Sequence, residues 1–135
     1  MSVAKTYFMI KPEAVRSQRF ADILAVVTRN RFTVERLEMR QLSAATARRF
    51  YAEHEGKAFF NDLVAYITSG PVVAVQLSGD DAVARLRQLV GATNPSNATP
   101  GTIRYMFGTS LQENAVHASD GDAAAARELA ILFGE

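Results

Sequence analysis

The chain has no cysteine and no tryptophan, and only four prolines and two histidines. The missing cysteines exclude disulfides, thiolate nucleophiles and zinc–thiolate centres. A charge excess is missing as well: 15 lysines and arginines face 14 aspartates and glutamates, a net charge of +1. That balance argues against a dedicated nucleic-acid binder, which normally carries a strong basic surplus. No apolar run approaches the ~20 residues needed to span a bilayer. Met1-Ser2-Val3-Ala4-Lys5 has neither the apolar core nor the cleavage site of a secretory signal. What is present is ordinary for a folded protein: 135 residues, 48% apolar and 21% charged. Such a chain buries roughly 70% of its unfolded surface around a core. The expectation is one domain over 1–135, in the cytoplasm.

Lys5 to Lys11 is a run of strand formers stopped by Pro12. Phe20, Ile23, Leu24 and Val27 fall at helical spacing. Phe32/Val34 and Leu37/Met39 each alternate, but the phase slips between the pairs, which predicts one strand to about Leu42 with a bulge. Ser43 is a suitable cap for a helix through Ala47 to Tyr51. A second helix runs from Phe59 to Ile67 and ends at Ser69-Gly70-Pro71. Val72 to Leu77, almost wholly apolar, predicts a central strand covered on both faces. Asp80 or Asp81 would cap a helix carrying Val83, Leu86, Leu89 and Val90, stopped by Gly91. From Gly91 to about Leu111 only turn chemistry remains, and a loop of that length is uncommon unless functional. A short strand at 115–118 and a helix from Asp122 to Phe133 follow. The order predicts an α+β fold, a ferredoxin-like split βαβ sandwich with a four-stranded antiparallel sheet covered by helices.

Few side chains offer chemistry. His54 sits in the polar stretch Ala52-Glu53-His54-Glu55-Gly56 and reads as a solvated surface imidazole. His117 lies where a strand meets a turn, with Glu128 on the next helix close enough to fold back on it. A neutral imidazole is a competent nucleophile, and a carboxylate orients it and stabilises the charge developed on attack. Spacing alone leaves this pair open between a catalytic unit and a partly buried histidine bonded to a helix N-terminus. Gly56-Lys57 resembles the end of a phosphate-binding loop, but Tyr51 stands where its first glycine belongs. G-x-G-x-x-G is absent too. Any nucleotide must therefore be held by side chains, with Lys11, Arg87, Thr93 and Arg104 as candidates.

Asn114-x-x-His117-x-Ser119-Asp120 resembles the active-site signature of nucleoside diphosphate kinases. Ile10-Lys11-Pro12, Phe59-Phe60, Ser69-Gly70-Pro71-Val72-Val73, Gly91-Ala92-Thr93-Asn94-Pro95 and Pro100-Gly101-Thr102-Ile103-Arg104 support it in the right order. The resemblance runs from Lys5 to Phe133. It implies ping-pong transfer of the γ-phosphate of a nucleoside triphosphate to a nucleoside diphosphate, through a phosphohistidine at His117. Glu128 and Ser119 would fix that ring. Lys11, Tyr51, Arg87, Thr93, Arg104 and Asn114 match phosphate- and ribose-contacting positions, and Phe59 matches the aromatic on which the base stacks. Magnesium would be held mainly by the nucleotide phosphates, with Asp120 nearby. The resemblance also implies a homo-oligomer built from dimers; the short C-terminus and altered loop leave tetramer and hexamer both open, with the tetramer slightly favoured. Five positions depart from the family pattern, among them Ala21, which stands for a usual glycine in the first helix and should favour it. Ala118 and Arg31 replace usual glycines, so Ala118 is expected to disturb the nucleophile's turn, and Asn30 or Arg31 to adopt a left-handed conformation. Tyr105 and Met106 replace a small residue and an acid.

Overall fold

The computed structural model describes residues 3–134. Four strands, β1 (Val3–Ile10), β2 (Thr33–Arg40), β3 (Val72–Asp80) and β4 (Val116–Ala118), form one antiparallel sheet in the order β2-β3-β1-β4. Seven helices surround it: α1 (Pro12–Arg16), α2 (Phe20–Arg29), α3 (Ala44–Phe50), α4 (Phe60–Ile67), α5 (Ala82–Val90), α6 (Ile103–Phe107) and α7 (Asp122–Phe133). This is the ferredoxin-like α+β architecture expected from the sequence.

Alternation along the two central strands divides the core. Phe8, Ile10, Val73, Val75 and Leu77 face α2 and α5, joining Ile23, Val27, Leu86 and Val90. Tyr7, Met9, Val72 and Ala74 face the other way, against Phe50, Val64, Ile67, Leu129 and Leu132 of α3, α4 and α7. Because both faces are covered, the first part of β3 reads as a nearly continuous apolar run, Val72 to Leu77, interrupted by Gln76 alone. The expected bulge in β2 lies between Val34 and Arg36. It returns Leu37 and Met39 to the side of the sheet that Val34 occupies, opposite Val75 and Val73.

The local readings differ from the structure in three places. Pro12 does not merely stop β1; it opens α1 at its first position, where its missing N–H costs nothing. The stretch after Gly91 is not free of structure: a 3₁₀ turn covers Pro95–Asn97, and α6 follows with Thr102 capping through the Tyr105 N–H. Asp81 occupies the cap position of α5, yet its side chain makes no capping bond and its φ is +49°. Ser43 does cap α3, accepting from the Thr46 N–H.

Arg31 is the residue that turns left-handed after α2, at φ +66°. Its carbonyl, with that of Asn30, accepts from the Arg85 guanidinium, which stacks on Phe32. A β-carbon in this conformation costs about 1 kcal/mol against glycine. Arg31→Gly should therefore stabilise the protein by about 1 kcal/mol, read as a higher urea midpoint with an unchanged slope.

Candidate functional site

The β1–β4 register sets His117 opposite Met9 and Ala118 opposite Phe8. His117 thus lies on the α3/α7 face, edge-on to Phe50 at 4.9 Å between ring centroids. Ala118 points to the opposite face, is buried in the α2/α5 core and has no positive φ. The expected disturbance at Ala118 does not arise, because strand alternation aims its methyl away from the histidine. The unusual backbone is two residues earlier. Ala115 has φ +77°, and the Val116 N–H donates to the Asn114 carbonyl at 3.0 Å, closing a three-residue turn. Such turns are rare and strained, at a cost of about 1–3 kcal/mol.

α7 brings Glu128 beneath the ring. The His117 Nε2 donates to Glu128 Oε1 at 2.8 Å, and the Ser119 hydroxyl donates to the same oxygen at 2.6 Å. Burial alone would raise the Glu128 pKa. The His117 bond and charge, the Ser119 bond and nearby Arg127 outweigh it and leave the carboxyl below its ordinary value. An ionised carboxylate only accepts, which assigns the ring proton to Nε2 and the free lone pair to Nδ1.

Around His117 opens a cleft of about 620 Å³. Lys11, Tyr51, Phe59, Arg87, Thr93, Arg104, Asn114, Asp120 and Glu128 line it with His117; Ser119 stands behind Glu128. The structure thus collects residues spread over the whole chain at one place. Lys11 follows β1 at the cap position of α1 and is 9% exposed, its Nζ donating to Asn114 Oδ1 at 2.7 Å. Burial first, then Arg104, lowers its pKa to about 8, against an opposing pull from Glu13. Arg104, on α6, is 4% exposed and donates to the carbonyls of Gly91 and Val116. Burial and Arg87 lower its pKa to about 10. The Arg87 guanidinium reaches the Ala118 carbonyl from α5. Asn114 also donates to the Thr93 and Leu111 carbonyls, tying the long loop to the histidine strand. Tyr51 is held neutral, its pKa pushed up by burial and then by Glu128 and Glu13.

At the mouth, Phe59 is 46% exposed at the start of α4. Two residues there escaped the sequence reading. Leu111, exposed in the loop, lines the same cleft and offers a second apolar surface; nothing in its isolated position distinguished it. His54 is not simply a solvated imidazole: it lines the cleft, its ring 5.3 Å from Phe59. Among the described residues no group of three or more histidine or carboxylate side chains gathers to hold a metal unaided. Asp120 is the exposed carboxylate of the signature segment at the cleft.

Two buried cations, a free guanidinium face and an imidazole backed by a carboxylate suit a polyphosphate and the transfer of a phosphoryl group. Fold and cleft together are what a nucleotide-binding phosphotransferase requires. The family model described as nucleoside diphosphate kinase matches residues 4–135. A nucleoside diphosphate kinase from Sulfolobus acidocaldarius is 44% identical over 98% of this chain and 92% of its own length, and one from Bdellovibrio bacteriovorus 43% over 98% and 94%. Among solved structures, the Aquifex aeolicus nucleoside diphosphate kinase superposes with a TM-score of 0.95 at 36% identity, covering 98% of this chain and 96% of that one. The Halobacterium salinarum enzyme in complex with CDP gives 0.95 at 38%, covering 99% and 90%. The chain belongs to the nucleoside diphosphate kinase family, enzymes that pass a phosphoryl group from nucleoside triphosphates to nucleoside diphosphates.

The lowered Glu128 pKa has a consequence for folding. A depressed carboxylate contributes stability that is fully present above its unfolded value, near 4.5, and that is lost as pH falls through the lower folded value. Urea unfolding across pH 2–7 (a range of about five units) should show the wild type more stable than Glu128→Gln near neutrality, the gap closing in acid. A gap independent of pH would contradict the ionised pairing.

Proposed function

We propose that the chain exchanges phosphate between nucleotides in two half-reactions, through a phosphohistidine at His117. The observation that carries this reading is the double bond donation onto Glu128 Oε1 by His117 Nε2 and Ser119, which leaves Nδ1 with the lone pair. In the first half-reaction Nδ1 forms a bond to the γ-phosphorus as the bond to the β,γ-bridging oxygen breaks, and the diphosphate leaves with that electron pair. The Nε2 proton stays in place, and the Glu128 carboxylate balances the positive charge acquired by the ring. In the second, a β-phosphate oxygen of the incoming diphosphate attacks phosphorus and the N–P bond returns its electrons to Nδ1.

Lys11, Arg87 and Arg104 supply positive charge to the phosphates, and preorganised donors of this kind are typically worth on the order of 10²–10³ in rate each. Tyr51, Thr93 and Asn114 offer neutral hydrogen bonds to phosphate and ribose. Phe59 offers a ring face to the base, which tolerates any base because each has a π surface. The CDP bound by the Halobacterium relative supports a diphosphate in this cleft. Magnesium fits the donor set, since one exposed carboxylate, Asp120, suits an ion that arrives on phosphates and keeps its waters. It would neutralise phosphate charge. In the cell this exchange would maintain nucleoside and deoxynucleoside triphosphate pools in the cytoplasm.

Assembly belongs to the same reading. β2 is a sheet edge, and its Leu37 and Met39 are 51% and 55% exposed. An edge carrying uncovered apolar side chains invites pairing with a second copy. We favour dimers joined along β2, assembled into a tetramer rather than a hexamer. Sedimentation should give a tetramer mass for the wild type and a smaller species for the pair Leu37→Glu, Met39→Glu; an unchanged mass would dismiss β2 as the dimer edge.

Incubation with γ-labelled ATP and magnesium tests the chemistry. The expected product is a label stable in base, lost in acid, discharged by GDP and absent from His117→Ala. ATP binding without any label would reject the covalent route.

A further inference from the structure

We propose that Glu13 is a positioning residue for phosphoryl transfer: it anchors the strained turn that aims His117 and places a negative charge against Lys11. The proposal rests on the phosphohistidine reading above.

Ala115 is left-handed, at φ +77°, and fully buried. A non-glycine residue does not stay in that conformation unless its surroundings hold it. Both of its backbone polar groups are held by the segment that begins at Lys11. The Ala115 carbonyl accepts from the Lys11 N–H at 2.8 Å, and the Ala115 N–H donates to Glu13 Oε2 at 2.9 Å. The other Glu13 oxygen accepts from the Tyr66 hydroxyl of α4. One carboxylate therefore joins α1, α4 and the turn that leads into β4. His117 follows Ala115 by two residues, in a strand of only three, so the turn sets the path of the backbone whose side chain Glu128 then orients.

The same carboxylate bears on Lys11. The groups around that ammonium are Glu13 from α1, Arg104 from α6, Tyr66 from α4 and, across the cleft, Tyr51, Arg87 and His117. Burial and Arg104 pull its pKa down to about 8, and Glu13 is the group that opposes them. Without the Glu13 charge, Lys11 loses its proton at lower pH. An uncharged amine is a poorer phosphate partner.

Two substitutions separate the roles. Glu13→Gln removes the charge, and Glu13→Asp keeps it but shortens the arm. The readouts are single-turnover labelling by γ-labelled ATP, the pH profile of kcat/KM for exchange, and thermal unfolding. Glu13→Gln should move the alkaline limb, set in the wild type by Lys11 near pH 8, toward lower pH. Glu13→Asp should label at least about tenfold more slowly, as expected when a reacting group is misaimed, with the limb unmoved. Adding Ala115→Gly, which tolerates the turn unaided, should restore labelling to Glu13→Asp and leave the limb of Glu13→Gln where it is. A wild type that does not label at His117 overturns the underlying reading. A labelling wild type matched within twofold by Glu13→Asp overturns the positioning role, and an unmoved limb in Glu13→Gln overturns the charge role. If Glu13→Gln does not fold, the same limb is read in Glu13→Gln combined with Ala115→Gly.

Discussion

One hydrogen bond, from the imidazole of His117 to the carboxylate of Glu128, ties the last strand to the last helix. β4 has three residues and pairs with β1 alone. So short a strand cannot fix a side chain by ladder bonds only. A buried carboxylate is costly unless donors surround it, and Glu128 draws them from His117 and Ser119, while Arg127 stands 3.7 Å away. The need to satisfy that carboxylate is what orients the ring. Ser119 is held in turn by the Tyr7 carbonyl, which accepts from its backbone N–H at 3.2 Å. The chain from the central strand through Ser119 to α7 is thus continuous, and the imidazole is its exposed end.

The opposite wall of the cleft is governed by a different cost. Among the described residues, buried Lys11 and Arg104 form no salt bridge with a carboxylate, and the Arg104 Nε has no hydrogen-bond partner. Their neutral contacts, to Asn114 and to the carbonyls of Gly91 and Val116, satisfy geometry but not charge. Desolvated cations with repulsive neighbours have lowered pKa values, as both residues show. Such a wall gains most from a ligand that brings negative charge into the same low-dielectric space. The electrostatics therefore favour phosphates over neutral ligands before any particular contact is considered.

Much of this was legible in the sequence because it depends on periodicity. Strand alternation and helical spacing located the sheet, the β2 bulge and most helices, and the signature around His117 pointed to the cleft that this residue lines. The misreadings share a cause: they occur where tertiary contacts override local pattern. Pro12 looked like a strand stop, although it also opens a helix. α6 hides in a stretch rich in proline, glycine and threonine, its five residues too few to show a period. Ala118 drew suspicion as an alanine in a glycine's place, whereas the strained residue is Ala115, whose neighbours in sequence give no sign of it. His54 and Leu111, far apart in the chain, line one cleft only in the fold. Glu13 carried no signal in the sequence, because its reach of 102 positions to Ala115 exists only in the fold.

Absence of a glycine-rich loop has a structural consequence. Phosphate sites built on glycine present backbone N–H groups in conformations that glycine adopts freely. This site presents side chains instead, and its left-handed backbone falls on an alanine. Among the described residues four non-glycines have positive φ: Gln18, Arg31 and Asp81 flank helices, and only Ala115 is buried beside the cleft. The first three relax into solvent if their contacts fail. Ala115 has no such freedom, because its N–H and carbonyl are already committed to Glu13 and Lys11. Releasing the turn would orphan buried polar groups on both sides, each at a cost of about 1–3 kcal/mol. The strain is therefore retained because relaxing it costs more than keeping it, and the turn holds the start of β4 while the Glu128 bond orients the ring.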